Sequence, residues 1–424
     1  MAISHRIFAA SCLFVMAASG LVCAADWKLG GHAKYQYRYT DYRADDLNAA
    51  LGADPARDQS LDLRLQVDGG TGPWDASVHY EFLTIDGDSL SARRRGTALG
   101  LIRSGTATGL PDDRRRLFDL TDTVSDRDRT AAVQRLDRLA FGYRDGGRSL
   151  RFGRQALSWG NGLVFQPLDF INPFAPTAID KEYKTGEDML YAQGAFPSQT
   201  DLQAIVAPRR DPTTHDVESS ESTYAIKLRL RAGAVDLDLL GARHVGEDLA
   251  GFGLVRSVGG AVWRFDALYM DIDNSSHDAW SIVTNLDYSW VWRGTNFYGY
   301  VEYFRNGVGE NERANYATPN SALVARIARG ELFTLARDYA AIATQVELHP
   351  LVNVFGSLIW NLNDGSAFLQ VRGIYDWRQD AQLSAGVNIG FGDRGDEFGG
   401  IAVAGSSVFI APGRSFFLRT AYYF

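Results

Sequence analysis

KLGGHAKYQYRY, residues 28–39, alternates without a break. Leu29, Gly31, Ala33, Tyr35, Tyr37 and Tyr39 fall on one face, and Lys28, Gly30, His32, Lys34, Gln36 and Arg38 on the other. Period two over so long a run predicts a β-strand with one apolar and one polar surface. Strands of soluble sandwiches are usually shorter, whereas a strand that crosses a bilayer needs about nine to eleven residues. The pattern recurs along the chain. Leu61, Leu63, Leu65 and Val67 oppose Asp62, Arg64, Gln66 and Asp68, and Trp74, Ala76, Val78, Tyr80 and Phe82 oppose Asp75, Ser77, His79 and Glu81. Later copies run through Tyr224–Arg231 and Gln382–Phe391. The fold class expected is all-β, a transmembrane antiparallel β-barrel.

Turn chemistry gives the strand number. Short connections are expected near 69–73, 145–148, 197–200, 232–234, 258–260, 293–294, 349–351 and 377–380, where Gly, Pro, Asn and Asp gather. Between them lie longer segments near 40–59, 84–132, 160–188, 208–221, 306–338 and 392–414, with brief ones near 246–249, 273–278 and 361–365. Eight short turns and nine connections at the other end give 18 strands, with 16 as the alternative and both termini at the short-turn end.

The first 25 residues carry Arg6, an apolar run from Ile7 to Val22 and a small-residue end at Ala24 and Ala25. They read as a secretory signal peptide, so the expected organisation is residues 1–25 removed and residues 26–424 forming the barrel. Both cysteines, Cys12 and Cys23, lie in that leader, which leaves the remainder without disulfide, thiolate metal site or Cys nucleophile. A formal net charge of −8 argues against nucleic-acid binding. Aromatics make up 12% of the chain and crowd the strand ends, as at Tyr288, Trp290, Tyr422 and Phe424, where a membrane interface would hold them.

One stretch breaks the period. After the strand-like SLRFGR at 149–154 come about thirty residues with no alternation, yet rich in Trp159, Phe165, Leu168, Phe170, Ile171 and Phe174 and stiffened by Pro167, Pro173 and Pro176. Such a segment needs a concave surface to bury its apolar groups. The expectation is a constriction loop folded into the barrel, with pore and constriction residues Arg151, Arg154, Trp159, Asp169, Asn172, Asp180, Lys181, Glu182 and Lys184. A basic ladder on the eighth strand, Lys227, Arg229 and Arg231, is expected to line the same lumen and to favour anions.

GRQALSWGNG at 153–162, PLDFINPFAP at 167–176 and the following DKEYKTGEDMLYAQ resemble a widespread group of proteobacterial outer-membrane porin-like proteins. The GRQ-x-L-x-x-G portion is also similar to a strand of the alginate-export barrel family. The terminal strand, Phe416, Leu418, Thr420, Tyr422 and Phe424 on one face, resembles the signature read by the barrel-assembly machinery of Gram-negative outer membranes. The resemblance implies an outer-membrane location, contact with lipid and lipopolysaccharide, and passive diffusion or export of a small anionic solute. An export barrel for an acidic polysaccharide is the nearest alternative, and an outer-membrane hydrolase or a barrel sheath around a partner protein are alternatives of other classes.

Enzyme motifs are absent from the sequence: it has no phosphate-binding glycine loop, His-Glu-x-x-His or nucleophile elbow. The histidines beyond the leader are scattered singly, so no metal or other cofactor is expected and the protein is read as no enzyme. The arginine-rich loop at 84–132, with Arg93, Arg94, Arg95, Arg114, Arg115 and Arg116 among many Asp residues, reads either as a solvated surface loop toward lipopolysaccharide or as a lid over the pore.

Overall fold

The computed structural model describes residues 26–101, 109–272, 279–403 and 406–424. The expected signal peptide and the connection near 273–278 lie outside the described residues. Eighteen long strands carry the fold. They are β1 Lys28–Asp41, β2 Ala56–Thr71, β3 Trp74–Gly87, β4 Thr130–Asp145, β5 Arg148–Gln155 and β6 Glu187–Ala195. Next come β7 Asp201–Arg210, β8 Val217–Ala232, β9 Val235–His244, β10 Glu247–Val258, β11 Ala261–Asp271 and β12 Ala279–Trp292. The circuit is completed by β13 Thr295–Arg305, β14 Asp338–His349, β15 Val352–Asn361, β16 Ala367–Arg378, β17 Ala381–Phe391 and β18 Arg414–Tyr423.

Each strand pairs antiparallel with its sequence neighbours, and β18 pairs with both β17 and β1, so the sheet closes on itself. A closed barrel satisfies every wall N–H and C=O without an edge, which is what hydrocarbon demands of a spanning sheet. The strand number, the eight short turns and the parity of the termini follow the sequence pattern. Gly31 N–H donates to the Phe424 carbonyl at 2.9 Å and joins the two ends at the short-turn rim. Local chemistry sets these turns. Arg293 and Gly294 both hold positive φ, 51° and 79°, the two-residue geometry whose twist matches antiparallel strands.

Alternation sorts the wall into two surfaces. On β13, Val301 and Tyr303 are exposed outward while Glu302 and Phe304 are buried inward. On β18 the outward set is Phe416, Leu418 and Tyr422, and Phe417 is fully buried on the inner face. An outward apolar band with polar groups inside is the inverse of a soluble barrel and suits lipid. Aromatic side chains stack along the short-turn end, with Trp290 against Phe297 at 5.3 Å and Trp74 against Phe141 at 5.1 Å.

One place in the wall is built differently. β5 stops at Gln155, where the chain leaves the sheet, so the half of β4 nearer the long loops loses its partner. A short strand from the preceding loop, Thr121–Asp126, takes that edge by pairing with Ala131–Arg135. Arg116 forms a bridge with Arg209 on β7 from the same insertion. The arginine-rich loop thus completes the wall, an arrangement neither expectation for it described.

Candidate functional site

The segment 156–186, between β5 and β6, is held to inward side chains of strands all round the barrel. Its first turn is tight. Gly160 has φ +92°, and a Cβ on Gly162 would fall 1.7 Å from the Phe165 carbonyl oxygen, so glycine is required at the second position. The turn aims successive amides outward. Leu163, Val164 and Phe165 N–H all donate to the Glu302 carboxylate on β13, at 2.7, 3.0 and 2.8 Å. Asn161 donates to Asp266 on β11 from its backbone and its side chain, both at 2.6 Å. Trp159 Nε1 donates to Gln203 on β7 at 2.7 Å, and Phe165 stacks on Phe304 at 4.4 Å.

The middle of the segment folds back. Lys184 donates to both oxygens of Asp169 at 2.5 and 2.6 Å, and Asn172 donates to Glu187 at the start of β6. Burial pushes the Asp169 carboxyl up to about 6 against the pull of Lys184. Trp159, Leu168, Phe170 and Ile171 join wall residues of β6–β12 and Leu323 of a helix at Ser321–Arg329 in one apolar cluster. Phe165 and wall residues of β12–β16 form a second. These two clusters pack much of the lumen beside β6–β16.

The last part reaches the other side. Gln370 and Arg372 on β16 donate to the carbonyls of Thr177 and Ile179, at 3.3 and 2.5 Å. Lys34 on β1 donates to Asp180 at 2.9 Å and Glu182 at 2.5 Å, Arg419 on β18 pairs with Asp180, and Tyr423 donates to Glu182 at 2.8 Å. Burial alone would raise Asp180, but Arg419 and Lys34 outweigh it and hold the carboxyl at about 2. Lys181 donates to the Pro176 carbonyl at 3.2 Å. Although the Lys181 side chain is exposed, desolvation by the surrounding barrel lowers its ammonium below the usual lysine value, Glu302 opposing the shift and Arg372 adding to it.

Five of the expected pore residues, Arg151, Arg154, Lys227, Arg229 and Arg231, stand otherwise than the sequence suggested. Arg154 is fully buried in the wall, bonded to Asp188 at 2.8 and 3.0 Å and to Asp113 at 3.0 Å, and so lines no passage. Arg151 donates to Ser77 on β3 at 2.5 Å, beside Asp75 at 3.7 Å. The ladder of β8 is not free positive charge: Lys227 and Arg229 both pair with Asp238, at 3.3 and 2.7 Å, and Arg231 lies 3.7 Å from Asp236. The register sets Asp238 against Arg229 and Asp236 against Arg231, with Lys227 sharing Asp238, which cancels most of the field a bare ladder would project. Arg372 carries no carboxylate partner among the described residues, rests over the Phe355 ring at 4.8 Å and went unremarked in the sequence. Its signal there was only a single base within a mixed strand.

Three histidines on the strands each lie beside an acidic group. His32 meets Asp62 at 3.0 Å and His79 meets Asp68 at 2.9 Å, both on β2. His244 bridges Thr223 at 2.7 Å and Glu331 at 2.9 Å, but Thr223 has no exposed surface from which to attack a substrate. Among the described residues no group of three His, Cys, Asp or Glu could hold a metal.

Solved structures share this architecture. A BenF-like porin from Pseudomonas fluorescens Pf-5 superposes with a TM-score of 0.53 at 10% identity, covering 94% of this chain and 98% of its own. OccAB2 of Acinetobacter baumannii matches with a TM-score of 0.53 at 11% identity, and OpdK of Pseudomonas aeruginosa, solved with vanillate, with 0.52 at 12%, over the same shares of the chains. No protein-family model and no curated protein matches the sequence. At these identities the likeness is one of fold: the chain has the 18-stranded barrel of outer-membrane porins.

Proposed function

We propose that the chain is a Gram-negative outer-membrane channel in which the segment 156–186 sets the bore, and that it passes small anionic solutes by diffusion. The single observation that carries the reading is the path of residues 172–177. Asn172 is bonded to Glu187 at β6 and Thr177 to Gln370 on β16, strands nearly opposite each other in a ring of 18. Five residues extend to at most about 17 Å, so Pro173–Pro176 has to run across the interior rather than along the wall. A lumen divided in this way suits small solutes better than a polysaccharide chain.

The apolar clusters leave the passage to the side of β16–β18, β1 and β2. There Lys34 and Arg419 are matched by Asp180 and Glu182, whereas Lys181 and Arg372 bind only carbonyl oxygens. Unmatched positive charge at a narrow point in a low-dielectric wall concentrates anions. Export behind a cleaved leader and insertion through the strand ending at Phe424 complete the proposal, with lipid and lipopolysaccharide around the barrel. Reversal potentials under a salt gradient test it. Wild type should prefer anions, Lys181→Gln with Arg372→Gln should move the preference toward cations, and Lys227→Gln, Arg229→Gln and Arg231→Gln together should move it little. Cation preference in the wild type would end the anionic reading.

A further inference from the structure

The outer face of β11–β15 carries a depression that plain alternation does not require. In one cross-strand row Thr284, Tyr303, Ala340 and Trp360 are successive register partners. The short side chains of Thr284 and Ala340 leave a groove of about 480 Å3, walled by Trp263, Ile342 and Trp360. Its walls are exposed and apolar, so hydrocarbon fills it in a membrane.

The next row toward the long-loop rim carries a charged pair. Ile282, Arg305 and Asp338 are register partners there, on the same outward face as Val301 and Tyr303. Arg305 Nη1 donates to Asp338 Oδ1 at 3.1 Å, and the Tyr303 hydroxyl donates to the same oxygen at 2.6 Å. An outward arginine near the hydrocarbon boundary costs free energy unless its N–H groups are met. Asp338 meets one of them and fixes the side chain, which is 41% exposed. The remaining donors of the fork suit a phosphate, the geometry arginine recognises best.

We infer that this groove and Arg305 form a site for one phosphorylated outer-leaflet glycolipid, an acyl chain lying between Trp263 and Trp360 and a phosphate on the guanidinium. The inference rests on the outer-membrane reading above. It follows from two features on one line of the wall, a groove for a chain and a cation one row above it, and needs nothing from the lumen.

The test is lipid retention. Purified barrel, exchanged into detergent, is incubated with diphosphorylated lipid A, with dephosphorylated lipid A or with phosphatidylglycerol and read by native mass spectrometry. Wild type should keep one diphosphorylated lipid A and discriminate against the other two. Ala340→Trp, which fills the groove, should lower retention tenfold or more, with Ala340→Leu as the milder change if the first fails to assemble. Arg305→Gln should abolish the preference for the phosphorylated form while leaving weak retention. Equal retention by wild type and the groove variants overturns the site, as does a second copy of the chain in place of lipid. Normal conductance with no retention refutes the groove alone. A chain recovered outside the membrane fraction refutes the outer-membrane reading beneath it.

Discussion

Arg154 and Asp188 face each other across the β5–β6 ladder as a two-bond ion pair with no exposed surface, at the point where the inward segment leaves the wall and returns to it. Asp113, from the loop that completes the wall, binds the same guanidinium. Removing the cation leaves two carboxylates buried together. Arg154→Ala should therefore destabilise the barrel by about 3–5 kcal/mol, the usual cost of breaking a buried pair. Heat-modifiability on gels reads this directly: the folded band should be lost at a lower temperature than in wild type. An unchanged transition would show that the pair is dispensable to the wall.

Glu302 is the anchor of the tight turn at 160–165, because three backbone N–H groups converge on it. Glu302→Ala leaves those donors buried without an acceptor, at about 1–3 kcal/mol each. The turn should detach while the strands stay paired. Single-channel records should then become noisy, with new subconductance levels, and Glu302→Gln should be intermediate because one amide oxygen can still accept. Quiet wild-type records from Glu302→Ala would contradict the anchoring role.

Glu397 ties its own long loop to a second one and to the ends of β14 and β15, accepting from Leu335 N–H at 2.7 Å, the Tyr339 hydroxyl at 2.6 Å and Asn361 at 2.9 Å. Burial pushes its carboxyl up to about 7 despite those donors. The folded state thus binds a proton that the unfolded state has already released above 4.5. The stabilisation is fully present below that value and is lost as pH rises through about 7. Between pH 5 and 8 the melting midpoint of wild type should fall relative to Glu397→Gln, by a free energy on the order of 3 kcal/mol. A constant difference between the two proteins across the window would refute the assignment.

Much of the fold was legible because two local signals agree. Period-two alternation marks the strands, and Gly-centred turns such as Arg293-Gly294 mark where they reverse, so strand number and parity follow without tertiary information. The site was less legible, for a physical reason. Asp180, Lys181, Glu182 and Lys184 could be picked out as charges on an apolar segment, but the partners of Asp180 and Glu182, namely Lys34, Arg419 and Tyr423, lie on strands 146 to 241 residues away in sequence. Arg154 looked like a pore residue because nothing nearby in sequence announces Asp113 as its partner. The β8 ladder misled for the opposite reason, since Asp236 and Asp238 on the adjacent strand were visible and the register places them against the bases.

Lys181 is the position at which to ask whether residues 156–186 narrow a conducting lumen. Residues 26–424 hold no cysteine, so Lys181→Cys places a single thiol in the barrel. In a planar bilayer, a bulky methanethiosulfonate reagent should reduce the open-channel current of Lys181→Cys in discrete steps while wild type is unaffected. Stoichiometric labelling of Lys181→Cys with no change in conductance would put this segment outside the ion path.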